Sequence, residues 1–186
     1  MRIMATSDLH GNLEGLDPRG ADVVVLAGDI APLRGRGVWH INDQKKWINK
    51  RFREWTSSYP DIKFVVIPGN HDFYPIAHIL FKGVGIDWGF DFSPNVHFLG
   101  DEGTEVNGLK FYGTPWVPII SYSWAFEGEH DTLVKWFSKI PSGIDVLVTH
   151  SPPRIPDSDI DRSLQTDSGC TEKFMQTPLY FPLHFA

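Results

Sequence analysis

Apolar and polar positions along this chain follow two rhythms. Four short runs are almost continuously apolar and rich in β-branched residues: Arg2 to Ser7, Ala21 to Ala27 (ADVVVLA), Ile62 to Ile67 (IKFVVI) and Ile144 to Thr149 (IDVLVT). Each predicts a buried strand. Between Gln44 and Ser58 the rhythm changes. There Trp47, Ile48, Phe52 and Trp55 recur at helical spacing with Lys, Arg and Glu between them, which predicts an amphipathic helix. Further helices are predicted over Pro75 to Phe81, Glu127 to Lys139 and, briefly, Cys170 to Met175. Asn95 to Leu99, Thr104 to Val106 and Leu109 to Tyr112 predict three short strands, the last two joined by the turn Asn107-Gly108. The stretch after Phe81, rich in Gly, Asp and aromatic residues, reads as an irregular loop. Strands alternating with helices, without internal repeats or a long linker, imply a single α/β layered domain over residues 1–186.

The polar residues add chemistry to this outline by where they fall. The first strong run leads into Asp8-Leu9-His10-Gly11-Asn12 and the second into Gly28-Asp29. The third leads into Pro68-Gly69-Asn70-His71-Asp72, and the fourth into His150-Ser151-Pro152-Pro153. Ligands of open α/β sheets bind beyond the carboxyl ends of the strands. If the four strands lie side by side and parallel, Asp8, His10, Asp29, Asn70, His71 and His150 meet at one rim. Taken singly, each is ordinary: an Asp after a strand often serves a turn, Gly-Asn is turn chemistry, and His150 would serve as a structural histidine tied to a backbone carbonyl. Their joint occurrence, each at a strand end, points to a shared site.

Carboxylate, imidazole and amide oxygen together suit Mn, Fe, Zn or Mg. Asp29, between the contributions of the first and third runs, is placed to bridge two divalent ions. Such a pair generates hydroxide at neutral pH and clamps phosphoryl oxygens during in-line attack. The neighbouring glycines let the backbone turn sharply and approach closely.

Composition narrows the partners. The chain has 186 residues and a formal net charge of -6, which argues against general nucleic-acid binding but not against a small phosphorylated substrate. Cys170 is the only cysteine, so an intrachain disulfide framework and thiolate metal sites are excluded. No apolar run approaches the roughly 20 residues of a membrane span, and the opening MRIMATSDLHGN lacks the features of a secretory signal. A cytoplasmic protein is the expectation.

In order and spacing, Asp-x-His, Gly-Asp, Gly-Asn-His-Asp and a later strand-terminal His resemble the calcineurin-like metallophosphoesterase superfamily. Tyr112-Gly113-Thr114-Pro115-Trp116, Ile140-Pro141, Ile144 to Pro153 and Gly169-Cys170 look like its metallophosphoesterase-domain-containing subgroup. The resemblance implies two packed β-sheets flanked by helices, a four-layer αββα sandwich. It implies Asp8 and His10 on one metal, Asn70 and His150 on the other, and Asp29 between them. It further implies His71 as the catalytic histidine that assists the leaving oxygen, Asp72 orienting that imidazole, and Asn12, Asn70 and His71 near the phosphate. The implied activity is phosphodiester hydrolysis, with a cyclic nucleotide among the candidate substrates.

The family pattern closes with Gly-His-x-His, whereas this sequence closes with Pro182-Leu183-His184-Phe185-Ala186. By that comparison the C-terminal elements and the last two ligands are missing, and the resemblance implies a weakened site. Three readings stand: a shortened enzyme of low metal affinity, His184 shifted into a ligand role, or ligands contributed by a partner chain. The alternative that the same residues allow is a non-catalytic phosphate- or nucleotide-binding protein with a degenerate metal site. Trp39, Phe73, Tyr74 and Trp116 are candidates for either cleft or core.

Overall fold

The computed structural model describes residues 1–33, 40–81, 89–152 and 180–181. Three of the four strong apolar runs form neighbouring parallel strands: β1 (Ile3–Thr6), β2 (Val23–Ala27) and β3 (Lys63–Ile67), continued by β4 (Val96–Phe98) in the order β1-β2-β3-β4. Their registers end nearly in step, with Thr6 opposite Leu26 and Ala27 opposite Ile67. The chain therefore leaves all three strands at one edge.

The fourth strong run, β9 (Val146–Thr149), belongs to a second sheet. This sheet also holds β5 (Glu102–Val106), β6 (Leu109–Thr114) and β10 (Tyr180–Phe181), in the order β10-β9-β6-β5. The side-by-side arrangement expected for all four runs is thus corrected: His150 reaches the rim from the facing sheet. Strands β5 and β6 form the expected hairpin, and both turn residues are left-handed, Asn107 at φ 51° and Gly108 at φ 82°. A parallel pair not foreseen from the sequence, β7 (Val117–Pro118) with β8 (Glu127–Gly128), stands apart as a small third sheet.

The two-residue side-chain period of a strand explains the layers. On β2 and β3, Val23, Val25, Ala27, Val65 and Ile67 face the second sheet and pack with Phe111, Val146 and Val148. The intervening Val24, Leu26, Phe64 and Val66 face outward and pack with Phe52, Trp47 and Trp55. Both faces are covered, so these strands read as unbroken apolar runs. Each such side chain, fully buried, stabilises the fold by about 1.5–3 kcal/mol relative to exposure.

The outer cover is the expected amphipathic helix, begun three residues earlier. It runs as α1 (Ile41–Trp47), a π-helical turn over Ile48–Phe52 and α2 (Arg53–Ser57). Of two more helices, α3 (Phe73–Phe81) begins two residues before its predicted stretch and α4 (His130–Phe137) falls within its own. The helix expected over Cys170 to Met175, together with Trp39 and His184, lies outside the described residues. No helix among the described residues is long and apolar enough to cross a membrane.

Buried polar groups fix how α2 meets the first sheet. The Asn95 amide, 6% exposed, donates through Nδ2 to the carbonyls of Thr56, Tyr59 and Ile62 at 3.0, 2.9 and 2.9 Å. These carbonyls end α2 and the following turn, where helical partners run out. Beside them the buried hydroxyls of Thr56 and Ser93 share a hydrogen bond. Asn95→Ala leaves the carbonyls without their shared donor and is expected to destabilise the protein by about 2–3 kcal/mol, read from urea denaturation. A loss under about 0.5 kcal/mol would show that water replaces the amide.

Candidate metal centre

The parallel ladder continues past the strands into the loops that carry the polar residues. The Asp8 N–H donates to Gly28 O (3.0 Å), the His10 N–H to Asp29 O (2.8 Å) and the Gly11 N–H to Ile30 O (2.9 Å). Locking the two loops together forces unusual backbone. Asp8, His10 and Asp29 lie in the left-handed region at φ 56°, 45° and 54°. Such conformations cost of order 1–3 kcal/mol each, the least for Asp, and persist only where the surroundings over-determine them. They turn the three side chains toward one another.

Asp29 is the centre of the arrangement. Only 2% exposed, its carboxylate accepts the His71 backbone N–H through Oδ1 at 2.9 Å. Around it stand His150 Nε2, 3.4 Å from Oδ1, and His10 Nε2 and His71 Nε2, each 3.9 Å from Oδ2. Two donor groups share it: His10, Asp29 and His71 in one, Asp8, Asp29 and His150 in the other, with the atoms of each group within 4.8 Å of one another. Burial pushes the Asp29 carboxyl well above its ordinary pKa; the His71 N–H counters this and the Asp8 charge adds to it. Burial likewise holds His10 below its ordinary value, Asp8 drawing it up and His150 pressing it further down. A neutral imidazole is the form that ligates a cation.

His150 supplies a test of fit. Its Nδ1 lies 2.8 Å from the Ala27 carbonyl, an acceptor only, so the ring proton sits on Nδ1. Nε2 faces Asn70 Oδ1 at 2.9 Å and Asp29 Oδ1 at 3.4 Å, and in the neutral ring it is the nitrogen that carries the lone pair. In that neutral form three electron-rich atoms face inward, a set that a cation completes, and a ligating His with its other nitrogen on a backbone carbonyl is ordinary for metal sites. His10 Nδ1 is buried with no hydrogen-bond partner among the described residues. The residues fit divalent metals. His150 is therefore tied to a carbonyl through Nδ1, as its bland reading had it, while Nε2 faces Asn70 and Asp29.

Two glycines make room for this contact. A Cβ on Gly28 would land on the His150 imidazole, and one on Gly69 on the Asp29 carboxylate and the His150 ring. Gly28 is also left-handed, at φ 101°.

Two other expected residues fall elsewhere. Asp72 does not orient the His71 imidazole. It is fully buried, and its carboxylate accepts the N–H groups of Ile30 (3.1 Å), Ala31 (2.9 Å) and Gly69 (2.8 Å). It clamps the second and third loops together, because three converging amides outcompete one imidazole edge. Burial and the Asp29 charge raise its pKa while these amides lower it. Asn12 is exposed at the rim and spends Oδ1 on the Glu14 N–H at 3.1 Å. Phe73, Tyr74 and Trp116 are buried and belong to the core.

Three residues matter that the pattern of strand ends does not reveal. Gln44, 2% exposed on α1, donates to His71 O at 2.7 Å and accepts the Tyr74 N–H at 3.0 Å. Trp124 stacks on His71 with ring centroids 4.1 Å apart and planes 6° from parallel. Glu127 accepts the N–H groups of Ile120, Ser121 and Trp124 at 2.7, 2.8 and 3.0 Å. Desolvation presses its pKa up, but these donors and the Ser123 N–H together hold it below the ordinary value. The helical spacing around Gln44 was the one available signal. A surface cavity of about 550 Å³ elsewhere, beside Leu13, Trp55 and Tyr59, contains none of the site residues.

The calcineurin-like phosphoesterase family matches residues 1–178. UPF0046 protein C25E10.12 of Caenorhabditis elegans is 31% identical over 163 residues, covering 82% of this chain and 54% of its own. Metallophosphoesterase domain-containing protein 1 of Homo sapiens is 28% identical over 169 residues, covering 82% and 48%. UPF0046 protein K07C11.7 of Caenorhabditis elegans is 24% identical over 160 residues, covering 82% and 51%. The chain spans about half the length of these curated relatives.

A buried carboxylate that awaits a cation is a liability without one. Because folding raises the Asp29 pKa, the folded protein loses stability as pH climbs above the ordinary carboxylate range. Asp29→Asn keeps the shape and removes the charge. At pH 8 in chelator this variant is expected to be more stable than the unsubstituted protein by about 1–2 kcal/mol, with a smaller gain at pH 5. Adding Mn should raise the melting temperature of the unsubstituted protein only. A destabilised variant in chelator, or no response of the unsubstituted protein to Mn, Zn or Mg, would contradict the assignment.

Proposed function

Because the chain belongs to the calcineurin-like phosphoesterase family, a family of metal-dependent phosphoesterases, we propose that it hydrolyses phosphodiesters at the site centred on Asp29. The observation that carries this reading is a single buried carboxylate common to two donor groups. Asp8, His10, Asn70 and His150 would hold two divalent cations about the shared Asp29. When bound, these cations supply Lewis acidity and a water ionised at neutral pH.

The chain's own residues divide the remaining work. Asp29 and Gln44 fix the His71 backbone from both sides, through its N–H and its carbonyl. The imidazole edge faces the centre, from which His71 would give a proton to the departing oxygen, a role that general acids fill with gains of about 10²–10⁴. Asp72 holds the second and third loops together through the N–H groups of Ile30, Ala31 and Gly69. The Ala27 carbonyl keeps the His150 proton away from the site. A diester suits a rim already crowded with carboxylates, since it brings less negative charge than a monoester. A small diester, a cyclic nucleotide among them, is the proposed substrate class.

The direct test is turnover of bis(p-nitrophenyl) phosphate with Mn against a chelated control. Turnover should depend on metal and vanish in Asp29→Ala. In His71→Ala it should fall by about 10²–10⁴ for an alkyl leaving group and much less for nitrophenolate, which departs without a proton. Mn-independent turnover, or none in the unsubstituted protein, overturns the proposal.

A further inference from the structure

We infer that Trp124 is a positioning residue for this reaction: it fixes the plane of the His71 imidazole, and Glu127 holds it there. The inference rests on the role proposed above for His71. Backbone contacts from Asp29 and Gln44 place the His71 main chain but leave rotation about its side-chain bonds. The near-parallel indole at 4.1 Å removes that freedom on one face. His10 stands against the imidazole at 5.0 Å with planes tilted by 50°. The ring is thus held between two neighbours, its Nε2 edge toward Asp29.

The segment carrying Trp124 is built to hold that indole still. It connects β7 to β8, and the Glu127 carboxylate at its end accepts three of its backbone N–H groups, that of Trp124 included. The next N–H, of Ala125, donates to Asn70 O at 2.9 Å, tying the segment to the residue before His71. Ala125 and Phe126 are buried with Phe73, Trp116 and Leu133, which anchors the far side. Tyr122 and Phe126 lie at φ 56° and 57°, on either side of Trp124. Left-handed backbone at two bulky aromatic residues is costly, and here it bends the segment so that the intervening indole turns over the imidazole. None of these contacts is needed to close the two-sheet core, which lies on the far side of the ligand loops.

Ring geometry and turnover are measured separately. In chelated protein, the imidazole C–H resonances of His71, assigned by their loss in His71→Asn, should sit upfield under the indole. They should move downfield in Trp124→Ala, and less so in Trp124→Phe. With Mn, Trp124→Ala should lower kcat for an alkyl phosphodiester about ten- to hundred-fold, as a small misplacement of a reacting group does. KM should stay within about twofold, the mark of an interaction expressed in the transition state. The loss should shrink for a nitrophenyl leaving group, and Trp124→Phe and Glu127→Gln should fall between. Unmoved His71 resonances overturn the inference whatever the kinetics. So does a moved resonance with unchanged kcat, or an equal loss for both leaving groups. If the unsubstituted protein shows no metal-dependent turnover, the proposed function fails and takes the catalytic half of this inference with it. The resonances then still decide whether the indole lies over the His71 ring.

Discussion

A carboxylate almost sealed from water, with three imidazoles around it, is the constraint that organises this end of the molecule. Burying a charge without a partner costs far more than any single hydrogen bond returns. One backbone N–H, from His71, does not neutralise Asp29. The surroundings instead present nitrogen and oxygen lone pairs, which make the deficit worse until a cation arrives. Around that need the loops are bent left-handed, two glycines are stripped of side chains, and a second buried carboxylate, Asp72, holds neighbouring backbone in place. Without a cation these features oppose the fold. With one they become its preorganisation.

The sandwich beneath makes this tolerable. Parallel strands β1, β2 and β3 end at one level, so three loops leave the sheet within reach of one another. Strand β9 of the facing sheet brings His150 to the carbonyl at the end of β2. The apolar layer between the sheets, from Val23 and Val65 to Phe111 and Val148, supplies the burial that offsets the strain. The division is physical: apolar burial lies in the middle of the sandwich, and the clustered donor groups sit on its rim.

Much of this was legible in the residue order because strands covered on both faces leave unbroken apolar runs. ADVVVLA and IKFVVI announce themselves, and the polar residue that ends each run marks the rim. The pairing of strands was not legible, since IDVLVT has the same composition in either sheet; its parallel pairing with β6, in register from Phe111 to Thr114, and with β10 assigns it to the second. Asp72 misled because a carboxylate next to a histidine in sequence suggests a partner. Side chains of neighbouring residues diverge, and its true partners lie 41 and 42 residues away as well as at Gly69. Gln44 was hidden within a helix whose polar positions looked solvated.

Trp124 had no sequence signal at all. It sits in an irregular segment, between strands two residues long, whose shape depends on one carboxylate gathering successive amides. Its separation from the ligand loops has a consequence for how such a site is built. Metal ligands tolerate little movement, because each must meet a cation at a fixed distance and several are also bent against their backbone preference. A group that orients a proton donor has more latitude, since ring plane and reach can change by degrees. Trp124 stands on a clasped segment outside the two main sheets, which carry Asp8, Asp29 and His150 at their rim. Among the described residues the segment meets the ligand loops through the hydrogen bond from Ala125 to Asn70, the stacking of Trp124 on His71 and a ring contact between Trp124 and Phe73.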